Sequence, residues 1–185
     1  MKEKILEVAK ELFIQRGYNA TSMGDIVKLS NSSKGTLYYH FTNKEALFLE
    51  VLNLEEGKWF AKWHVEEKKC QTNLEKFYKF AEFTATVDVH YPLRMAIAEF
   101  YSMQHESELI NEKINELDQR YILYYRNMFE AGNETNEWNI EDLDTLSELA
   151  AATFGGLDIF TQHLDLKKRA KMFDRFANLF LKGAS

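Results

Sequence analysis

The chain has 185 residues, 45% of them hydrophobic, with one proline, one cysteine and a formal net charge of −6. That length fits one sizeable domain or a small domain joined to a larger one, and the scarcity of proline favours helices. No apolar run approaches the ~18 residues of a membrane span. The opening MKEKILEVAKELF is charged and amphipathic rather than a signal peptide, and Cys70 has no intrachain partner for a disulfide, so a cytoplasmic protein is expected.

The acidity is unevenly spread. Residues 1–48 carry seven Lys/Arg against five acids, whereas the remainder carries 16 against 24. A mildly basic head on an acidic body is compatible with nucleic-acid binding by the head alone.

Along the chain, Ile5, Ala9, Leu12 and Phe13 form the stripe of an amphipathic helix over residues 2–16, and Gly17 supplies its stop. Ser22 stands three residues before Asp25 and ahead of Ile26 and Val27, the pattern of a capping box. The helix it opens is short, ending near Ser30. Ser32 or Ser33 caps the next, which runs to about His40. Thr42-x-x-Glu45 then predicts the cap of a much longer helix over 43–69. Two helices of about two turns each, joined by a tight polar turn and braced by a longer first helix, describe a helix-turn-helix.

The second of those helices, NSSKGTLYYHF over 31–41, mixes residue types that suit a duplex. Ser32, Ser33 and the N–H groups of the helix start can hold a phosphate oxygen, and Lys34 adds a charge-assisted contact. Gly35 costs about 1 kcal/mol of helix propensity yet removes a side chain where backbone lies against DNA. Thr36 is placed to touch a base edge; Tyr38, Tyr39 and His40 carry donors that reach phosphates. Leu37 and Phe41, at i and i+4, read as packing residues. Adjacent tyrosines point about 100° apart, so packing explains at most one ring.

ILEVAKELFIQRGYNATSMGDIV followed by SSKGTLYYHFTNKEALF resembles the N-terminal domain of the TetR family of bacterial repressors. Later segments (EEGKWFAKW, CQTNLEKFY, YPLRMAIAEFY and INEKINELDQRY) are similar to a multidrug-binding member. The resemblance implies an all-α subunit of about nine helices, with a DNA-binding head over 1–46 and a ligand-binding and dimerisation body over 47–185. It implies that Ser32, Ser33, Lys34, Gly35, Tyr38, Tyr39, His40 and Lys44 contact operator DNA. Thr36 and Met23 depart from the amide and threonine that the multidrug-binding member carries at its DNA surface, a difference that bears on operator sequence.

The body mixes acids into aromatic helices. A carboxylate three or four residues from a ring shares its face, and such a pair suits a flat, apolar cation; most acids of this kind are nonetheless solvated surface groups. The resemblance places Glu55, Glu56, Trp59, Asp88, Tyr91, Tyr101, Asp118 and Tyr121 at a small-molecule inducer pocket, with Arg94 where an amide is found. A neutral or fatty-acyl metabolite is the alternative ligand, and a helical enzyme or adaptor without DNA binding a remote third reading. Leu143, Leu146, Ala150, Phe154 and Leu157, then Met172, Phe173, Phe176 and Phe180, mark two last helices expected to pair across a homodimer, helped by small Ala151, Gly155 and Gly156. Residues 131–139 read as a loop. His64, His90, His105 and His163 show no metal-ligand spacing and read as surface or pocket-wall residues. No phosphate-cradling loop, nucleophile elbow or Cys-His pair is present, so no metal, cofactor or catalysis is expected.

Overall fold

A computed structural model describes residues 1–87, 93–161 and 163–184. The described residues form nine α-helices and no strand: α1 (Lys2–Arg16), α2 (Met23–Ser30), α3 (Lys34–His40), α4 (Lys44–Glu67), α5 (Asn73–Thr86), α6 (Arg94–Tyr101), α7 (Glu108–Glu134), α8 (Leu143–Thr161) and α9 (Leu166–Ala184). Their contacts group them into two units. One comprises residues 1–58 and the described part of 91–115; the other holds the described parts of 59–90 and 116–185.

In the first unit, α1 buries Ile5, Ala9, Leu12 and Phe13, the stripe its periodicity predicts, and packs against α2, α3 and α6. Phe13, Tyr18, Phe48 and Phe100 form its aromatic centre, with ring centroids 4.8–5.0 Å apart for Phe13–Phe48, Tyr18–Phe48, Tyr18–Phe100 and Phe48–Phe100. Burial, and then the Glu45 charge, push the Tyr18 phenol above its usual range.

Gly17 ends α1 with φ +78°, its N–H donating to Phe13 O at 3.0 Å. That backbone region favours glycine, and a Cβ here would lie 2.6 Å from a carboxylate oxygen of Glu99 on α6, so that side chain would have to shift. Glu99 Oε2 accepts the Asn19 N–H at 2.8 Å. Lys44 Nζ donates to the carbonyls of Tyr18 (2.9 Å) and Thr21 (3.1 Å) and sits 4.2 Å from the centre of the Tyr18 ring. The turn between α1 and α2 is thereby held by a carboxylate and an ammonium.

Ser22 caps α2 as its spacing predicts, accepting from Asp25 N at 3.1 Å and donating to Asp25 Oδ2 at 2.8 Å. The cap expected of Thr42 and Glu45 does not form in that way. Asn43 Oδ1 accepts the Ala46 N–H at 2.7 Å instead, so α4 begins at Lys44. Glu45 is engaged elsewhere, 2.7 Å from His105.

In the second unit, α5 packs along α9, and α8 against both. Trp63, Phe77, Phe80, Tyr125, Phe129, Phe154 and Phe173 are its buried centre. Arg169 lies inside it with all five N–H groups donating: to Ala85 O (2.9 Å), Thr84 O (3.1 Å), Asp158 O (3.0 Å), Thr161 Oγ1 (2.8 Å) and the Asp158 carboxylate. A buried charge is tolerated only when satisfied in this way, and here it joins the last turns of α5 and α8 to α9.

The loop expected at 131–139 is half helix, because α7 continues to Glu134. Gly132 is there for close approach rather than to break the helix: the Trp138 indole occupies the space a Cβ would need. Asn133 exchanges bonds with the backbone of Ile140, accepting its N–H at 2.9 Å and donating to its carbonyl at 2.8 Å. Glu137 in the same loop reaches the start of α5 and accepts from Asn73 N (3.0 Å), Leu74 N (2.8 Å), Asn73 Nδ2 (2.9 Å) and Thr135 Oγ1 (2.8 Å).

Burial on its own pushes the Glu137 carboxyl up, but the N–H groups of Leu74 and Asn73, with the Thr135 hydroxyl and Asn73 amide, outweigh it and hold the pKa at about 2 against an ordinary 4.5. A carboxyl depressed by folding stabilises the fold above its unfolded value and loses that contribution as pH falls through the folded one. Replacing Glu137 by alanine therefore lowers the unfolding free energy by about 1 kcal/mol at pH 7, the scale of a lost helix cap. The gap to wild type closes as pH falls from 4.5 towards 2. Denaturant unfolding at a series of pH values checks this, and a gap that stays constant across that window would contradict it.

Candidate nucleic-acid interface and ligand site

The turn into α3 is made by Asn31 in the left-handed region (φ 53°). Ser32 N donates to Val27 O at 3.2 Å, and Ser32 Oγ accepts from Ser30 Oγ at 2.9 Å. Ser33 is the N-cap: its Oγ accepts the Thr36 N–H at 3.0 Å and shares a 2.8 Å hydrogen bond with the Thr36 hydroxyl. Both serines expected at a phosphate therefore also build the helix start, and Thr36 is held on the same side by its bond to Ser33.

From that start the helix splits cleanly. Leu37 and Phe41 are buried, as their spacing predicts. Tyr38 is 52% exposed and Tyr39 84%, so packing accounts for neither ring in full. Lys34 and Gly35 are exposed and His40 is half-buried, its ring 5.1 Å from Tyr39 in an edge contact. Gly35 needs no special conformation, and a Cβ there would meet only Ser33 Oγ, at an ordinary 3.7 Å. The protein's own packing thus gives no reason for glycine at this position. α3 has no acid in its first turn and carries Lys34 there. Lys44 is not part of this outward face: its ammonium is turned to the α1–α2 turn.

The residues expected at a ligand pocket are distributed as follows. In the second unit, Trp59 and Tyr121 are brought together with ring centroids 6.2 Å apart, and Phe60 joins them at 5.1 Å from Trp59 and 5.2 Å from Tyr121. Phe80 and Phe83 meet Trp59 edge-on at 5.4 and 5.3 Å. Trp59 Nε1 is buried and finds no acceptor among the described residues. Asp118, three residues before Tyr121 on α7, is exposed. In the first unit, Glu55 pairs with Lys58 at 2.5 Å and Lys10 at 3.8 Å, which neutralises much of its charge. Glu56 has one carboxylate oxygen out of solvent, Arg94 is buried and Tyr101 is exposed. Asp88 and Tyr91 lie outside the described residues.

Two participants escaped the sequence reading. Phe60 was masked by its neighbour Trp59, since consecutive helical positions diverge and only the ring from α7 reunites them. His105, expected as a surface or pocket-wall residue, has a side chain only 4% exposed and paired with Glu45. Both Glu45 and His105 look like ordinary polar positions in sequence, sixty residues apart.

Comparison with known proteins agrees with this geometry. Residues 5–51 match the family described as bacterial regulatory proteins, tetR family, and residues 55–185 match the C-terminal region of QacR-like proteins. The chain is 50% identical over 185 residues to the HTH-type transcriptional regulator QacR of Staphylococcus aureus, covering all of this chain and 98% of that one. Among solved structures, the transcriptional regulator FadR from Bacillus subtilis in complex with stearoyl-CoA superposes with a TM-score of 0.82 at 18% identity, covering 100% of both chains. A regulator from Saccharomonospora viridis in complex with choline gives 0.74 at 20% identity, covering 98% of this chain and 95% of that one. At those identities the structural likenesses speak for the fold; the two family matches and the full-length relative speak for descent. The chain belongs to the TetR family of helix-turn-helix transcriptional regulators.

Proposed function

We propose that this chain is a repressor that holds operator DNA through α3 and releases it when a small lipophilic molecule binds among the aromatic residues around Trp59. The observation that carries the DNA-binding half is the split of α3: Leu37 and Phe41 inward, Tyr38 and Tyr39 outward, and beside them a glycine whose missing side chain serves no internal contact. Ser32, Ser33, Lys34, Gly35, Thr36, Tyr38, Tyr39 and His40 form the proposed contact set. Lys34, the tyrosines and the serine hydroxyls fix register on phosphates, while Thr36 reaches base edges. Lys44 serves by bracing the α1–α2 turn.

For the ligand, the supporting observation is the Trp59 indole: a buried N–H donor with no acceptor among the described residues, inside a ring cluster. Such a donor costs free energy until something accepts from it. A flat molecule with an acceptor at its rim relieves that cost, and ring faces favour a cationic one. With Asp118 exposed, charge selection at the ring cluster is weaker than the sequence pattern suggests. A neutral or acyl ligand is the second reading, favoured by the apolar lining that the rings supply.

Trp59 lies on α4, the helix that begins three residues after Phe41 closes α3. Ligand binding there acts on the head through the same helix, with the reciprocal coupling of about 1–3 kcal/mol usual for such regulators. A homodimer places two α3 helices one DNA turn apart, roughly 34–36 Å. Outward-facing Leu149, Ile159 and Phe160 on α8, and Leu166 and Leu179 on α9, supply the proposed dimer surface, with Gly155 and Gly156 open for close approach. The residues whose periodicity first suggested that surface, Ala150, Phe154 and Phe173, are buried in the subunit's own core.

Substituting alanine at Gly35 separates folding from DNA contact. Alanine is the better helix former by about 1 kcal/mol, so Gly35→Ala raises or preserves thermal stability while weakening duplex binding at least tenfold. Unfolding and fluorescence anisotropy on a duplex selected from a random pool check both; unchanged affinity would remove the case for α3 at the groove. Adding a lipophilic cationic dye, or separately a long-chain acyl-CoA, releases that duplex from wild type and releases it less well from Trp59→Ala. Equal release from both proteins would place the ligand elsewhere.

A further inference from the structure

His105 lies on the connector between α6 and α7, its side chain nearly removed from water. Nδ1 is 2.7 Å from Glu45 Oε1, Nε2 is 3.0 Å from the Phe100 carbonyl oxygen, and the ring rests 4.3 Å from that of Phe100. Asn111 of α7 donates to the His105 carbonyl at 3.1 Å and fixes the backbone beneath it. A carbonyl oxygen only accepts, and so does an ionised carboxylate. With Glu45 ionised, both ring nitrogens donate, and an imidazole with two N–H groups is a cation. Without one of its protons the ring satisfies a single partner and turns a lone pair on the other.

The charged surroundings agree. From α4 come Glu45 and Lys44; from α6 comes Glu99, which acts on Lys44 as Glu45 does; from the α1–α2 turn comes the Tyr18 phenol, which also senses Glu45. Glu106 and Glu108 on the connector and first turn of α7 are exposed. Lys44, Glu45 and Glu99 leave one negative charge in excess, and the imidazolium cancels it.

We propose that His105 is a positioning residue for DNA binding: as an imidazolium it ties the first turn of α4 to the end of α6, and loss of its proton releases Glu45 and loosens the mount of α3. This rests on the reading of α3 as the DNA-contacting helix. A tie made only by the doubly protonated ring is complete while both nitrogens carry protons and is lost when one of them is given up. With Glu99 holding the α1–α2 turn nearby, the end of α6 then keeps one polar tie to the head instead of two, beside the Phe100 ring contacts.

The test compares the full-length wild type with His105→Gln, which keeps the polar shape without the charge, between pH 5.5 and 8.5 at fixed ionic strength. Duplex affinity is read by anisotropy on a site selected with wild type at pH 6, and stability by denaturant unfolding. The expected result is a wild-type affinity that falls over the range by about tenfold more than that of His105→Gln, the scale of one charge-assisted hydrogen bond, since both proteins keep His40 on the proposed DNA face. Parallel pH profiles for the two proteins would overturn the proposal. A pH-dependent stability gap with no matching gap in affinity would also overturn it, leaving the DNA-binding reading intact. Failure of both proteins to bind any duplex would instead defeat that reading and the positioning role with it. Side-chain nitrogen-15 shifts of the wild type give a check that needs no variant: two protonated ring nitrogens at pH 5.5 are expected, and a single neutral tautomer there would refute the tie.

Discussion

Seven residues are too few to hold a helix in water, so α3 exists because two of its side chains are buried. Leu37 and Phe41 lie one turn apart and both face the unit's core. Once they are fixed inward, the helix has no freedom about its axis. Gly35 and Tyr39 are then committed to the opposite side, with Lys34 at the helix start and Tyr38 at the flank also in solvent, whatever the cost of leaving two aromatic rings exposed. That cost is the sign of a surface maintained for something outside the subunit.

The mount of α3 is built by polar groups placed at points where backbone would otherwise go unsatisfied. Gly17 opens space for the Glu99 carboxylate, Glu99 takes the Asn19 N–H, and Lys44 takes two carbonyls of the same turn. The other unit follows the same economy, with Arg169 joining the ends of α5 and α8 to α9 and Glu137 closing the start of α5. In both, aromatic rings lie at the centre of the buried core, while single charged side chains set how the helices end and meet.

Much of this was legible in the sequence because it is local. The α1 stripe, the Ser22 cap with Asp25, a serine cap at Ser32 or Ser33 and the inward pair Leu37 and Phe41 depend on spacings of three or four residues; the structure reproduces them and selects Ser33 for the cap. What the sequence concealed was contact across long separations. Glu45 was read as half of a local cap because its spacing to Thr42 allowed it; its partner His105 is sixty residues away. The family resemblance implies Lys44 as a DNA contact, while its ammonium turns back to the carbonyls of Tyr18 and Thr21. Gly132 and Asn133 were read as a loop on composition, and only the packing of Trp138 explains a glycine inside α7. Likewise, Glu55 was read beside Trp59 without the lysines that neutralise it.

The central claim is that the exposed side of α3 is the surface a duplex covers. Fluorotyrosine incorporated at every tyrosine, with the Tyr38 and Tyr39 resonances assigned, reports on that side directly by fluorine NMR. Adding a cognate duplex should shift and broaden both resonances while leaving the buried Tyr18 and Tyr125 signals in place, and a releasing ligand should restore them. Tyr38 and Tyr39 signals that stay unmoved while the duplex is demonstrably bound would contradict the account.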